Sequence, residues 1–346
     1  MKWMKRISIW IVFSLSLQCL GLFYIDKYIL ATDSKVASKK VVEDVSKAEE
    51  IVDITVPEKA ETVLVSYDAK YLTYYEDENL KLVNCKDGKI KNINAEEGSK
   101  ICFSEWLPDR NRILLVERKT GNESSNLVLY SYDVLKNEKV IVKELGWSGS
   151  KSEVENIQTS PLTGVIYIQV SNEGLSSSIY RIDRMGEINK KNTIPKLVSN
   201  IAVLRREDKL VYEGSVYNKI YVTNTDENIK DESISIEGVD RLTLIGAQND
   251  NVYLAELKDD LVSKIYYGKT SEDTSTWKEL DLQNPSKEKD LFVSADGKVY
   301  QNDELRGVVT EISSGIETSY EGELSQMYTK GIVSLVNNKV SFVPFK

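Results

Sequence analysis

Histidine is absent from this chain of 346 residues. Imidazole is the usual general base near neutral pH and the commonest neutral metal ligand in proteins. Its absence excludes Ser-His-Asp and Cys-His hydrolases and any zinc or iron site that needs a histidine ligand. An enzyme with this sequence would have to use carboxylate, Lys, Tyr or Ser-Lys chemistry, and we predict no cofactor and no metal.

Basic residues are fewer than acidic ones, with Lys+Arg 45 against Asp+Glu 54 and a net charge of −9. Proteins bind phosphate backbones through basic surfaces, so we expect no nucleic-acid partner. Apolar residues make up 41% of the chain, which is enough for a sizeable core and excludes wholesale disorder.

Cysteine is also scarce, with only three in the chain: Cys19, Cys85 and Cys102. Cys19 lies in an apolar N-terminal segment, which leaves Cys85 and Cys102 as an even pair. The sequence leaves open a disulfide between Cys85 and Cys102 or two buried free thiols. Either way, so few cysteines in a chain of this size cannot be what the fold depends on.

Long apolar runs without charge are missing except for one, residues 7–25, with the sequence ISIWIVFSLSLQCLGLFYI. A helix rises about 1.5 Å per residue, so this run would cover the roughly 30 Å hydrocarbon core of a membrane. We predict a transmembrane signal anchor over 7–25 and a cytoplasmic tail over 1–6, because three basic residues in the tail favour an inside N-terminus. The predicted localisation is the cell membrane, with a single pass and the ectodomain outside the cytoplasm. The alternatives are a signal peptide cleaved after Ala31, a lipoprotein modified at Cys19, and a buried helix.

Residues 26–60 are predicted to form a linker or stalk. Apolar side chains recur at the spacing of one helix face, at Val41, Val45, Ala48 and Val52. This pattern predicts a short amphipathic helix that ends before Pro57. The helix is either a solvated tether or an oligomerising or partner-binding element, and the oligomeric state stays open.

The rest of the chain, residues 61–346, is a succession of short Val, Ile, Leu and Tyr runs separated by Asp, Asn, Gly and Lys turns. This pattern is typical of an all-β protein, and the 19 Tyr against 6 Phe fit half-buried strand positions with wet hydroxyls. Seven similar units follow one another at intervals of 33 to 53 residues, beginning at Lys70, Asn111, Gly164, Asp208, Asp250, Gly297 and Lys330. Such a period indicates a six- or seven-bladed β-propeller. The last unit is short, which predicts that the two ends of the domain share one blade.

Three turns carry a resemblance to a known family. WLPDRNRILLVERK from Trp106, SPLTGVIYIQV from Ser160 and SADGKVYQ from Ser294 resemble degraded copies of the repeat of TolB-like β-propellers. The first has Leu107 and Arg110 where the repeat has Ser and Gly, and the second has Thr163 in place of Asp. The resemblance implies an architecture and not an activity, because propellers host many unrelated functions.

Repeated acids in the predicted turns are the first candidates for chemistry, at Asp109, Asp133, Asp183 and Asp296. A glycosidase needs two carboxylates about 5–9.5 Å apart, but Asp in a turn more often bonds its own backbone, and we assign these four that structural role. Further acids cluster at Asp226, Glu227, Asp231, Glu232, Asp259 and Asp260. Because the chain has no D-x-[DN]-x-[DN]-G loop, we interpret these clusters as solvated turns and not as calcium sites.

Taken together, the sequence predicts a membrane-anchored binding or scaffold module for a protein or an envelope component. The predicted contact surface is one end of the ring, where loops from all blades converge. Trp147 and Trp277, both in predicted polar inter-strand segments, are the candidate contact residues. The alternatives are a carboxylate-based enzyme on carbohydrate or cell-wall polymer and a structural subunit of an envelope complex.

Overall fold

The structure, a computed structural model, describes residues 2–24, 52–120, 124–149, 151–224 and 229–346. The chain divides into two compact units, Met1–Glu49 and Glu50–Lys346. In the first unit, residues Lys2–Tyr24 form one α-helix, α1. Among the described residues, no helix combines the length and the apolar character that crossing a membrane requires. The structure therefore does not support the predicted transmembrane segment, and the predicted stalk helix lies outside the described residues apart from Val52.

The second unit is all-β, and its strands form seven sheets that we number as blades 1 to 7 in chain order. Blade 1 contains β1 (Glu61–Val65), β2 (Tyr71–Glu76), β3 (Asn79–Asn84) and β4 (Ile90–Ile93). Blade 2 contains β5 (Lys100–Trp106), β6 (Arg112–Thr120), β7 (Ser124–Asp133) and β8 (Glu138–Gly149). Blade 3 contains β9 (Ser152–Ser160), β10 (Val165–Asn172), β11 (Ser176–Ile182) and β12 (Ile188–Lys191). Blade 4 contains β13 (Val198–Val203), β14 (Leu210–Gly214), β15 (Lys219–Val222) and β16 (Glu232–Ile234).

The remaining three blades follow the same order. Blade 5 contains β17 (Leu242–Gln248), β18 (Asn251–Lys258), β19 (Leu261–Lys269) and β20 (Lys278–Ser286). Blade 6 contains β21 (Leu291–Val293), β22 (Val299–Asp303), β23 (Val308–Glu311) and β24 (Glu317–Ser319). Blade 7 contains β25 (Glu323–Tyr328), β26 (Gly331–Val336) and β27 (Lys339–Pro344). Short 3₁₀ turns at Thr274–Thr276 and Glu288–Asp290 precede β20 and β21.

The predicted β-propeller is confirmed, and the blade count that the sequence leaves open is seven. Each predicted repeat unit begins one or two residues before the second strand of its blade. Within every blade the strands pair antiparallel with their chain neighbours, as in the full register of β6 with β7. The repeat period therefore located the blades, because each unit of sequence forms one complete hairpin.

The core is divided among the blade interfaces. Seven clusters of buried apolar side chains lie one at each junction between neighbouring blades, including the junction of blade 7 with blade 1. A four-stranded sheet exposes two apolar faces, and stacking in a closed ring buries both. Ring closure is thus a condition of stability for this sequence.

The ring closes through residues that the sequence assigns to the stalk. Thr55 forms an antiparallel bridge with Lys339. The Val56 amide donates to the Asn338 carbonyl at 2.9 Å, and the Val340 amide donates to the Ile54 carbonyl at 2.9 Å. The N-terminal end of the domain is therefore an extra edge segment of blade 7, which confirms that the two ends share a blade. The predicted domain start at residue 61 is too late, because Ile54 and Val56 are buried in the closing core.

Ile54→Ala is expected to lower the free energy of unfolding by about 2 kcal/mol, because it removes a buried side chain at the closure. Val52→Ala is the matched control, since Val52 lies two residues away and is 45% exposed. Urea unfolding of both variants measures the difference. Equal stabilities of the two variants would contradict a role of this segment in closing the ring.

Tyrosines in the second strands are more buried than the sequence suggests. Tyr74, Tyr167, Tyr212 and Tyr253 are all at most 2% exposed, so the expectation of half-buried rings is wrong for them. The hydroxyls of Tyr167, Tyr212 and Tyr253 bond protein partners. Tyr167 donates to Asp208 Oδ1 at 2.8 Å and Tyr253 to the Gly297 carbonyl at 3.0 Å, each in the next blade. The hydroxyl becomes a link between blades, which composition alone cannot reveal.

Candidate functional site

The innermost strands of the seven blades end at the same face of the ring, around a central cavity of about 400 Å³. We call the face at which these strands end the turn face. All seven blades contribute to the cavity wall, with Tyr67, Trp106, Ile157, Val203, Ala247, Phe292 and Met327 as one residue from each. The volume lies within the range of about 300–1,000 Å³ that is usual for small-molecule sites.

Apolar and aromatic side chains supply much of the wall. The Trp106 ring is buried against blade 1, where its Nε1 donates to Thr73 Oγ1 at 3.1 Å. Gln326 bridges blades 7 and 1, because its Oε1 accepts from the Val65 amide at 2.7 Å. These contacts fix the wall, so the cavity is a preformed site.

Glu105 is the distinctive group of the cavity. It lies near the end of β5, beside Trp106, and its carboxylate makes no hydrogen bond or ion pair with any residue that the structure describes. Burial raises the pKa of Glu105 from its ordinary 4.5 to about 7, with no contribution from a neighbouring charge. A carboxyl with this pKa changes its protonation state near neutral pH, so the cavity can offer either a hydrogen-bond donor or a negative charge.

Two other charged residues line the cavity, and their surroundings differ. Asp109 is held by the adjacent Arg110, whose Nε and Nη2 donate to its two oxygens at 2.9 and 2.7 Å. Arg205 is exposed at the mouth, where its Nη1 donates to Asn249 Oδ1 at 3.1 Å. No carboxylate in the described part of the chain forms an ion pair with Arg205. The cavity therefore carries one free acid, Glu105, and one free base, Arg205.

Glu105→Gln is expected to change how stability depends on pH. The unfolded chain releases the Glu105 proton near pH 4.5 and the folded chain near pH 7, so the protonated form favours folding. The stabilisation of the folded protein by the protonated Glu105 carboxyl is complete below pH 4.5 and is lost as the pH rises through about 7. Glu105→Gln has no ionisable group at this position, so its stability lacks this pH dependence. Urea unfolding between pH 4 and 8 should show wild type losing stability relative to the variant. Parallel curves would contradict the raised pKa, and the exposed Glu97→Gln is the control.

The four turn aspartates lie where the sequence places them and have structural partners. Asp133 accepts from the Lys136 amide at 3.0 Å and pairs with Arg112. Asp183 accepts from the Met185 and Glu187 amides, both at 2.8 Å. Asp296 accepts from the Ser294 hydroxyl. Asp133 and Asp183 therefore bond turn amides as predicted, whereas Asp109 and Asp296 bond the nearby side chains of Arg110 and Ser294.

The acid clusters show similar partners where they are described. Asp231 accepts from the Tyr212 hydroxyl, and Asp260 pairs with Arg241 at 3.0 Å. Asp226 and Glu227 lie outside the described residues. Within the part of the chain that the structure covers, no group of three or more acids or cysteines is placed to hold a metal ion.

The expected exposure of Trp277 is wrong. Trp277 is 7% exposed and packs into the cluster between blades 4 and 5. The 3₁₀ turn before it, capped by Asp273, folds the ring back over Gly268 of β19. The signal in the sequence is Gly268 itself, which leaves room for an indole in an otherwise Tyr-rich strand. The backbone of Trp147 pairs with Asn126 in blade 2, and its side chain is not among those described.

Cys85 and Cys102, the two cysteines of the propeller, are free thiols. Cys85 is buried in the closing core between blades 7 and 1, and burial raises its pKa to about 12. Cys102 packs against the cluster between blades 2 and 3, where its Sγ lies 3.4 Å from the Val116 carbonyl. The possible disulfide is therefore not formed, because the two side chains belong to different blade interfaces.

Sequence reasoning missed both free charges of the cavity. Glu105 lies on the face of β5 opposite to that of Ser104 and Trp106, but the burial of these two neighbours is visible only in the structure. Arg205 follows the end of β13 and had no readable signal either. The three segments with the TolB-like resemblance contribute Trp106, Pro161 and Ala295 to the cavity wall.

No protein-family model and no curated protein matches the chain. Among solved structures, the chain is similar to virginiamycin B lyase from Staphylococcus aureus, with a TM-score of 0.55 and 14% identity over 86% of this chain and 99% of that one. It is also similar to a streptogramin B lyase, with a TM-score of 0.54 and 12% identity over 85% and 97% of the two chains. At this identity the likeness shows the fold alone: the chain is a seven-bladed β-propeller.

Proposed function

We propose that this protein is a non-enzymatic binding module whose ligand enters the central cavity at the turn face. The observation that carries the proposal is the unpaired, half-buried Glu105 carboxyl in a preformed cavity of mixed polar and apolar lining built by all seven blades. An ionisable group that is desolvated without a partner costs folding free energy, and such groups concentrate at functional sites. A ligand that completes the hydrogen bonding of Glu105 recovers that cost.

The alternative of a carboxylate enzyme has less support. General acid and base work on a glycosidic bond needs two available carboxylates. Of the two acids that line the cavity, Asp109 is engaged at both oxygens by Arg110. This leaves Glu105 alone, which suits recognition better than a two-carboxylate reaction. The scaffold role and the envelope partner that the sequence predicts are also consistent with a binding module.

The proposal is tested by ligand-observed NMR with a set of short peptides, monosaccharides and aromatic amines. Thr159→Trp places an indole at the cavity wall, whereas Leu305→Trp places one on a turn of blade 6 that is 99% exposed. We expect at least one class of compound to bind wild type and Leu305→Trp equally and to lose binding to Thr159→Trp. Equal binding to all three proteins, or to none, would overturn the central cavity as the ligand site.

A further inference from the structure

The two free charges of the cavity have opposite signs and come from different blades. Glu105 belongs to blade 2 and Arg205 to the turn after the innermost strand of blade 4, with blade 3 between them. Glu105 makes no contact with a base, and Arg205 keeps all but one of its N–H donors free of described protein acceptors. Neither group neutralises the other in the folded protein.

Other opposite charges at the turn face are paired. Arg112 with Asp133, Arg181 with Asp208 and Lys298 with Glu311 form ion pairs at the same turn face. Charged side chains that serve only the structure at this face therefore have an oppositely charged partner in the protein. An acid and a base left apart across a cavity are better explained by a ligand that takes both.

Each charge selects a ligand group by its chemistry. A carboxylate in a poorly solvated wall favours an ammonium group, which restores the solvation that burial removed. An arginine at a mouth favours a carboxylate, which its planar donors can bind in a bidentate manner. Blade 3, which lies between them, contributes the apolar Ile157 and Pro161 to the wall, and blade 4 adds Val203.

We propose that the ligand is a short peptide with free ends, an inference that rests on the proposed function. The ammonium group of the peptide contacts Glu105 and its carboxylate contacts Arg205. An apolar body between the two termini fits the wall. A single amine or a single carboxylic acid would leave one of the two protein charges unpaired.

Binding of such a peptide depends on pH through Glu105. The other ionisable groups around the cavity are Asp109, which Arg110 holds, the Arg205 guanidinium, and the phenols Tyr67 and Tyr328. Burial raises the pKa of Tyr328, so its phenol stays neutral over the range in which Glu105 titrates. An ammonium group favours the ionised Glu105, so affinity should rise as the pH increases toward about 7. It should fall again above about pH 8, where the α-amino group of the peptide loses its proton.

The experiment uses calorimetry with one tripeptide, Leu-Gly-Leu, in four forms: free, N-acetylated, C-amidated, and blocked at both ends. We expect the free peptide to bind most tightly and each blocked end to cost about tenfold in affinity, the size expected for a charge-assisted hydrogen bond. Glu105→Gln should weaken only the forms with an ammonium group and remove the rise in their affinity up to about pH 7. Arg205→Gln should weaken only the forms with a carboxylate, and Arg184→Gln, at an exposed turn residue of blade 3, should change nothing.

The outcomes separate the two proposals. If all four forms bind wild type with equal affinity and Thr159→Trp abolishes binding, the cavity binds ligands but the preference for a free-ended peptide is wrong. If no form binds while another compound class binds wild type and not Thr159→Trp, the peptide is again the wrong ligand. If no compound of any class distinguishes wild type from Thr159→Trp, the proposed function fails and the inference with it.

Discussion

Gly322→Ala is expected to lower the free energy of unfolding by about 4 kcal/mol, among the largest effects of any single substitution. Gly322 precedes β25 with a φ of +79°, in the left-handed region that favours glycine. A Cβ at this position would lie 2.1 Å from the Leu335 carbonyl oxygen. That carbonyl cannot turn away, because Leu335 pairs with Glu323 on one side and Val340 on the other.

Gly238→Ala is the matched control for this prediction. Gly238 has nearly the same φ, +77°, and no atom within 4 Å of an added Cβ. The free energy of unfolding of this variant should fall by about 1–2 kcal/mol, which is the backbone strain of the left-handed conformation alone. Chemical denaturation of both variants measures the difference, and equal losses would show that blade 7 can relax around the new methyl group.

Glu213→Ala is expected to lower the free energy of unfolding by about 3 kcal/mol, because it removes a buried charged acceptor from a hydrogen-bond network. Glu213 is 2% exposed in β14. Its carboxylate accepts from the Asn200 and Asn218 side chains, from the Thr243 hydroxyl, whose single proton it shares with Glu288 Oε2, and from the Leu244 amide, all at 2.9 to 3.0 Å. Because the last two donors belong to blade 5, one side chain of blade 4 holds two blades together.

The control for Glu213 is the exposed Glu97→Ala, which should change stability by less than about 0.5 kcal/mol. Glu213→Gln should fall between the two, because the amide keeps one acceptor oxygen. Thermal or urea unfolding of the three variants gives the order. A Glu213→Ala variant as stable as Glu97→Ala would show that the donors find other acceptors at no cost.

The repeat pattern predicted the architecture of the domain because each blade is one local hairpin with one apolar face on each side. Seven starts, from Lys70 to Lys330, locate the second strand of each blade to within two residues. The short last unit predicted the shared blade, although only the structure shows that Ile54 and Val56 close it. Strand order within a blade follows from short-range sequence, and this is why it was predictable, whereas closure joins Thr55 to Lys339 at the other end of the domain.

The candidate site was not predictable in the same way. Glu105 and Arg205 are about a hundred positions apart and meet at one cavity only because the ring brings innermost strands together. Trp277 was predicted to be a contact residue because its neighbours in the sequence are polar, which suggests exposure. Its indole is buried instead, because Gly268 leaves room for it. Side-chain environment in a propeller depends on the neighbouring blade, and that neighbour is more than 30 residues away.

The most direct test of a ligand site in the central cavity is an NMR titration of the Glu105 carboxyl, with and without Leu-Gly-Leu. The account predicts a pKa of about 7 for the free protein and a clear fall when the peptide binds, because an ammonium group stabilises the ionised form. An ordinary pKa near 4.5 that does not respond to the peptide or to any compound that the protein binds would contradict it.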